Sequence, residues 1–507
     1  MEKVTTVSEN LDSDKKNATD LDQALAVAGV GWYNLKYSLV LALFLIAAII
    51  EPSGYSYVLP ASRCDLQMTD AQRGFIASIP FIGVVITSYP WGYLVDTRGR
   101  KRIAVYSSLA AGVFGVLSGF MPELISFIIC KFLTALCIAG PASVPYSFIG
   151  EILPQKYRDI TLSIVNAMQI SGSAFVPLIA WAILPLDFRI NFGLYEFRPW
   201  RLLNIVNAMF FIIAAALMSF GPESPKYLVA QGKHDEAMKV LQTFYAGNKG
   251  KSPEDYPVKM LKMPNIDQPQ KPGILASLKA QSLPLLMPPY VKWLALNGFL
   301  LFGVFAVLNG LSVWVPDILN RVLTGNGEGL TACEVIGQRL NETITDGDCI
   351  DTIATSTFII NLVANSSCAV IAIVGSSMVK IFGKKTLIVV VFFLIGTFCV
   401  MINIITHDML FAALLSSFPI MGMTIGPINA FAVEIFPTQL RGMAISLAMM
   451  IGRCGSVMGA NVAGILLDSL CESTFYLFGG LLILCGVSTF LLPKPKITEN
   501  RITMSRL

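Results

Sequence analysis

Gly92-Tyr93-Leu94-Val95-Asp96-Thr97-Arg98-Gly99-Arg100-Lys101-Arg102 joins two apolar stretches, and a worn copy, Ser376-Ser377-Met378-Val379-Lys380-Ile381-Phe382-Gly383-Lys384-Lys385, joins two others (383 − 99 = 284). A second pair repeats at nearly the same offset. Gly150-Glu151-Ile152-Leu153-Pro154-Gln155-Lys156-Tyr157-Arg158 and Val433-Glu434-Ile435-Phe436-Pro437-Thr438-Gln439-Leu440-Arg441 both read E-x6-R with Pro at the same place (434 − 151 = 283). Self-similarity at one long offset marks a duplicated unit.

The apolar stretches around these motifs set the fold class. A helix needs about 20 apolar residues to cross the roughly 30 Å hydrocarbon layer of a bilayer. Twelve such stretches lie between charged and Pro/Gly breaks: 36–60, 72–95, 103–120, 124–147, 160–185, 200–220, 291–318, 354–379, 386–406, 408–432, 442–468 and 473–493. With 507 residues, 54% hydrophobic and 14% charged, and a mean hydropathy of +0.65, the chain holds more apolar surface than soluble cores use. The expected fold is an all-α membrane protein with twelve transmembrane helices in two pseudo-symmetric six-helix halves, 36–220 and 291–493. A tail (1–35), a linker with a short amphipathic helix (221–290), an exterior loop (319–353) and a second tail (494–507) complete the map. The first 35 residues lack an apolar core, so no cleavable signal is expected and the first crossing serves as the insertion signal.

Lys and Arg are retained on the cytoplasmic side of membrane proteins. One set of connections carries Arg98, Arg100, Lys101, Arg102, Lys156, Arg158, Lys380, Lys384, Lys385 and Arg441, while the other set (61–73, 186–201, 319–353) holds seven arginines and no lysine. The first set, with both termini, is expected to be cytoplasmic. A net charge of +4 gives no reason to expect nucleic acid. The bilayer is the partner implied, and a monomer is expected.

Six of the ten cysteines lie in apolar spans without a His or carboxylate cluster, so no metal site is expected. Cys333 and Cys349 fall instead in the exterior loop, where an oxidising setting favours a disulfide between them. The same loop carries the sequon Asn341-Glu342-Thr343, so Asn341 is the expected glycosylation site. Asn17 is placed on the cytoplasmic side and Asn365 inside the membrane, where neither is modified.

The glycine-bounded Asp96 motif, the repeated E-x6-R and Pro222-Glu223-Ser224-Pro225-Lys226-Tyr227-Leu228 resemble the signatures of the major facilitator superfamily, in its sugar-porter and organic-ion-transporter branches. Gly232-Lys233-His234-Asp235-Glu236-Ala237, Trp181-Ala182-Ile183-Leu184-Pro185 and Gly310-Leu311-Ser312-Val313-Trp314-Val315-Pro316-Asp317 resemble the synaptic vesicle glycoprotein 2-like group. Thr97 departs from the usual basic residue, and the exterior loop after span seven is short for that group. The resemblance implies a cytoplasmic gate at Gly92, Asp96, Arg98, Gly99, Arg100, Lys101, Arg102, Glu151, Arg158, Glu223, Glu434 and Arg441. In it, Glu151 and Glu434 pair with the basic residues seven positions on and hold the outward-facing state closed inside. K/R bias explains the cations but not the fixed Asp and Glu. His234 belongs to an amphipathic stretch under the bundle.

Charges inside spans are costly and mark function by default. Arg453 lies about ten residues into span eleven, roughly 15 Å deep at 1.5 Å per residue, with no route to either surface. It requires an anionic partner or a water-filled cavity, and in the organic-ion branch a basic residue in this span accompanies anionic substrates. Glu51, beside Pro52, is expected to pair with Arg453 or to carry a proton. Lys131 stands where its stem reaches outward, with structural and functional readings both open. Tyr55, Gln169, Asn309 and Asn361 complete the expected substrate-binding set, although amides such as Asn166, Asn429 and Asn461 more often bridge helices.

No P-loop and no Ser/His/Asp set is visible, and there are two histidines, so neither an enzyme nor a cofactor is expected. The leading expectation is a secondary transporter of a small organic anion or zwitterion, coupled to protons or to exchange, in the plasma membrane or an intracellular vesicle. A non-transporting glycoprotein with a regulatory or binding role is the alternative.

Overall fold

A computed structural model describes residues 19–262, 282–325, 330–337, 352–467 and 469–493. The N-terminal half contains α1 (Leu21–Ala28), α2 (Trp32–Ser62), α3 (Asp70–Arg98), α4 (Arg100–Ser118), α5 (Leu124–Ile152), α6 (Gln155–Ile183), a small hairpin of β1 (Ile190–Asn191) and β2 (Glu196–Phe197), and α7 (Pro199–Ser219). Then come α8 (Pro225–Ala230) and α9 (His234–Lys249). The C-terminal half contains α10 (Val291–Phe305), α11 (Val315–Leu323), α12 (Thr355–Phe382), α13 (Lys384–Met401), α14 (Asp408–Leu415), α15 (Ile425–Ile435), α16 (Thr438–Leu466) and α17 (Cys471–Thr489).

Among the described residues eleven helical stretches have the length and apolar composition of a membrane crossing. The stretch expected as span three forms α4, 19 residues long and opening on Arg100-Lys101-Arg102. Its Ser107, Ser108, Gly112, Gly115 and Ser118 dilute the apolar character but allow close approach to α5 and α7. A Cβ on Gly115 would stand 2.6 Å from that of Ala208, and Ser108 Oγ donates to the Phe211 carbonyl at 3.0 Å.

The repeat is written in the backbone. Gly99 (φ +105°) and Gly383 (φ +85°) occupy the left-handed region between consecutive helices, where only glycine is unstrained. Pro154 and Pro437, with nearly equal φ/ψ of −58/147 and −62/152, precede α6 and α16. Two spans are broken. Span seven runs from α10 through a π turn (Ala306–Gly310) and a 3-10 turn (Leu311–Trp314) into α11, and span ten inserts a 3-10 segment (Phe418–Thr424) between α14 and α15. A Cβ on Gly455 would lie 2.3 Å from the Phe302 carbonyl oxygen and one on Gly459 2.3 Å from that of Ala306, so the backbones of span seven and α16 touch.

Each half has its own buried core, and a third core, which includes Tyr57, Ile76, Phe358 and Ala460, spans both. The halves meet along α3 with α16 and α6 with α12. The end bearing Asp96, Glu151 and Glu434 is here the motif face, and the opposite end the loop face. At the motif face α1 docks on α9: Ala24, Leu25 and Ala28 share a core with Leu241, Phe244 and Tyr256, and Tyr256 Oη donates to the Ala24 carbonyl at 2.7 Å.

The disulfide differs from expectation. Cys333 is bonded to Cys471, with Cα atoms 5.5 Å apart, and not to Cys349, which lies outside the described residues together with Asn341. Folding brings the loop against the start of α17, a proximity across 138 residues that spacing alone does not show. Cys64 is also disulfide-bonded.

Candidate functional site

In the loop-face half of the N-terminal bundle, α2 and α5 place a buried ion pair. Lys131 Nζ lies 2.6 Å from Glu51 Oε1 with side-chain exposures of 2% and 0%. The ammonium also sits 4.7 Å from the centroid of the Tyr55 ring and 5.8 Å from that of Phe127. Glu51 Oε2 is buried without a hydrogen-bond partner among the described residues. Two expectations are corrected here: Glu51 is taken by Lys131 rather than by Arg453, and Lys131 points into this pair rather than outward.

Arg453, on α16, reaches across to the other half, where its Nη1 donates to Ser88 Oγ of α3 at 2.8 Å. It is partly exposed, and no acidic side chain pairs with it among the described residues. The remaining expected members scatter. Gln169 and Asn166 both accept from Tyr146 Oη, Asn309 Nδ2 donates to Ser456 Oγ at 3.3 Å, and Asn361 and Asn461 donate to carbonyls of their own helices. Bridging or back-bonding is the use most of these amides have here.

At the motif face, Arg100 Nη2 lies 3.0 Å from Glu151 Oε1 and 3.1 Å from Asp96, and its guanidinium covers the Tyr227 ring at 5.5 Å. Ser224 Oγ donates to Glu151 Oε2 at 2.5 Å. Glu223 Oε1 accepts from the backbone N–H of Lys101 and of Ser224, each at 2.9 Å. The segment after span six is therefore folded under the α3–α4 turn. A Cβ on Gly99 would come 2.5 Å from Glu223 Oε2, which adds a steric reason for glycine there.

The expected E-x6-R pairs are not formed. Arg158 bonds Asp22 of α1 and the Leu153 carbonyl, Glu434 pairs with Lys384 at 2.6 Å, and Arg441 Nε is buried without a partner among the described residues. Proline three residues after each Glu ends one helix and starts the next, so Glu and Arg face different neighbours. Arg98 and Arg102 form no ion pair among the described residues, and the space beside Gly92 is open. No ion pair of the motif face crosses between halves among the described residues.

The loop face is different, and sequence reasoning missed it. Arg73 of α3 pairs with Asp317 of α11 at 2.8 Å, and Arg321 pairs with Asp70 at 3.2 Å. Arg73, 2% exposed, also lies 4.8 Å from the centroid of the Trp314 ring. The signal available was the spacing Asp70-x2-Arg73 and Asp317-x3-Arg321, which puts an acid and a base on one helix face in each half.

Two related helical halves joined along facing helices give the two-bundle membrane fold on which alternating-access transporters are built. The chain belongs to the sugar (and other) transporter family of the major facilitator superfamily. The description "Sugar (and other) transporter" matches residues 40–313, and "Major Facilitator Superfamily" matches 343–505. Similar relatives include synaptic vesicle glycoprotein 2C of Mus musculus, 26% identical over 62% of this chain and 46% of the relative. Synaptic vesicle glycoprotein 2A of Homo sapiens is 25% identical over 60% of this chain and 44% of its own length. These matches thus span less than half of the curated relatives. Among solved structures, a partially occluded inward-open form of the xylose transporter XylE from E. coli superposes with TM-score 0.65 at 14% identity, covering 92% of this chain and 99% of that one. A nucleoside transporter, NupG, gives TM-score 0.61 at 11% identity, covering 91% and 100%. At such identities the likeness is one of fold.

Proposed function

We propose that the protein is a secondary transporter of a small organic anion, with the solute held between Arg453 and the opposing half and a proton carried at the Glu51–Lys131 pair. The observation that carries the substrate class is Arg453: an always-charged planar fork at mid-depth, partly exposed, bonded across the halves to a neutral hydroxyl and without an acid of its own among the described residues. A carboxylate, sulfate or phosphate arriving with the solute satisfies it bidentately. A zwitterion fits equally where its anionic end is the one held.

Proton coupling rests on Glu51. Its second oxygen is buried without a hydrogen-bond partner among the described residues, and Lys131, its ionic partner there, is sealed with it. Protonation of the carboxyl weakens this pair and frees Lys131, so the proton and the geometry of α2 and α5 are linked. The printed description of one solved neighbour, a D-xylose–proton symporter, is compatible with such coupling.

In this reading the motif face is cytoplasmic, both termini lie there, and the conformation is the one open to that side, because the cross-half ion pairs sit at the loop face. Uptake of radiolabelled organic anions, zwitterions, cations and neutral sugars by proteoliposomes, with and without a pH gradient, tests the proposal. Uptake confined to cations or neutral sugars removes the role of Arg453. Specific binding without uptake of any class points instead to the non-transporting alternative.

A further inference from the structure

The loop-face charges form a closed ring of four. Within each helix one arginine holds one aspartate: Arg73 Nη1 to Asp70 Oδ1 at 2.6 Å on α3, and Arg321 Nη2 to Asp317 Oδ2 at 3.0 Å on α11. Across the halves the same groups pair again, Arg73 with Asp317 at 2.8 Å and Arg321 with Asp70 at 3.2 Å. Signs alternate around the ring and sum to zero. Arg63 approaches Asp70 from outside at 4.0 Å. Beneath, Arg73 roofs a cavity of about 10 Å³, room for one water, lined by Tyr55, Leu59, Pro60, Val313 and Trp314.

This arrangement differs from an ordinary buried salt bridge in what happens when it opens. Parting a simple buried pair leaves each charge uncompensated in a low-dielectric setting, which is strongly unfavourable. Here, withdrawing α11 from α3 removes the two cross pairs but leaves every arginine beside its own aspartate, three or four residues away on the same helix. Two neutral doublets separate, and no bare charge is produced. The backbones beside the ring are built for repeated closure. A Cβ on Gly74 would lie 2.8 Å from the Ala460 carbonyl oxygen, and one on Gly464 2.7 Å from that of Asp70, so α3 and α16 close in direct backbone contact.

We propose that Asp70–Arg73 and Asp317–Arg321 are the two faces of a reversible lock that holds the loop face shut and parts, doublet by doublet, when that face opens. The proposal rests on the alternating-access reading, but its test reads distance and not transport. Spin labels on ketone-bearing residues at the exposed positions Ala71 and Thr324 leave the native cysteines untouched and report the separation of α3 and α11.

Flipping one doublet, Asp70→Arg with Arg73→Asp, keeps the helix neutral and its internal pair intact but sets like charges against α11. The long-distance population of the purified protein in nanodiscs is expected to grow on the order of tenfold. Flipping the second doublet as well, Asp317→Arg with Arg321→Asp, restores opposite signs and returns the short distance. A merely structural ring predicts instead that the fourfold change is the least stable of the set. Should the flips fail to fold, as judged by thermal unfolding, Asp317→Asn with Arg321→Gln removes both cross pairs while Asp70 and Arg73 keep each other in either state, and a smaller rise is expected. An unchanged distance distribution in folded single-flip or Asp317→Asn, Arg321→Gln protein overturns the lock, as does a fourfold variant that stays open. Uptake is not measured here, so loss of the transport reading would leave this result standing.

Discussion

Lys131 Nζ and Glu51 Oε1 are 2.6 Å apart, and the side chains that carry them are sealed within the N-terminal half at 2% and 0% exposure. Removing one member of such a pair leaves the other as an uncompensated buried charge, at a cost of about 3–5 kcal/mol. Lys131→Ala is therefore expected to lower the unfolding temperature markedly. Glu51→Gln with Lys131→Met, which removes both charges, is expected to recover most of that stability without recovering response to a pH gradient. Thermal unfolding of the wild-type, Lys131→Ala and doubly substituted proteins reads the first effect and gradient-driven uptake the second. Retention of gradient-driven accumulation by the double variant would refute proton carriage at this site.

The motif-face cluster makes a graded prediction. Asp96 is 61% exposed and Arg100 retains Glu151 without it, so Asp96→Asn is expected to change stability by less than about 1 kcal/mol. Glu151 is buried and holds both Arg100 and Ser224, so Glu151→Gln is expected to destabilise by about 1–3 kcal/mol and to slow uptake more. Unfolding temperatures and initial uptake rates decide the order. An equal effect of the two changes would remove the distinction drawn from burial.

Much of the fold was legible because its determinants are local. Apolar length sets the helices, and Gly99, Gly383, Pro154 and Pro437 set the turns, each acting through its own backbone. The residues at Glu51, Lys131 and Arg453 were legible as candidates because charge in an apolar span is costly wherever it occurs. Their partners were not. Lys131 is 80 positions from Glu51, Asp317 is 244 from Arg73 and Ser88 is 365 from Arg453, and sequence gives the cost of a charge without giving the neighbour that offsets it. Arg73, Asp70 and Arg321 were passed over because they lie at span ends, where a charge is ordinary.

The Cys333–Cys471 bond joins the 319–353 region to the start of α17, and Asn403 packs beside it, with Cys333 Sγ 3.8 Å from Asn403 Oδ1. Non-reducing peptide maps are expected to show these two cysteines linked. Cys333→Ser and Cys471→Ser are each expected to cost about 2–4 kcal/mol, and the double change no more than either alone, since both remove one bond. Additive losses, or a Cys333–Cys349 peptide in the native protein, would contradict the fold of this region.

Arg453 gives the prediction with the most bearing on function. Its guanidinium bonds Ser88 Oγ at 2.8 Å, and Glu51 is already held by Lys131, so neutralising Arg453 strands no acid. Arg453→Ala is expected to fold with little change in unfolding temperature and to lose uptake of the anionic solute. Arg453→Lys keeps the charge but not the fork, and is expected to recover uptake poorly. Ser88→Ala removes only the hydroxyl that positions the guanidinium, so a several-fold rise in KM with a smaller change in kcat is expected. A purely structural arginine would behave in the opposite way: Arg453→Ala would unfold early, Ser88→Ala would lower stability in step, and the surviving folded fraction would transport normally. Full anion uptake by well-folded Arg453→Ala protein would end the assignment, because a site whose central cation is dispensable does not select its solute by that charge.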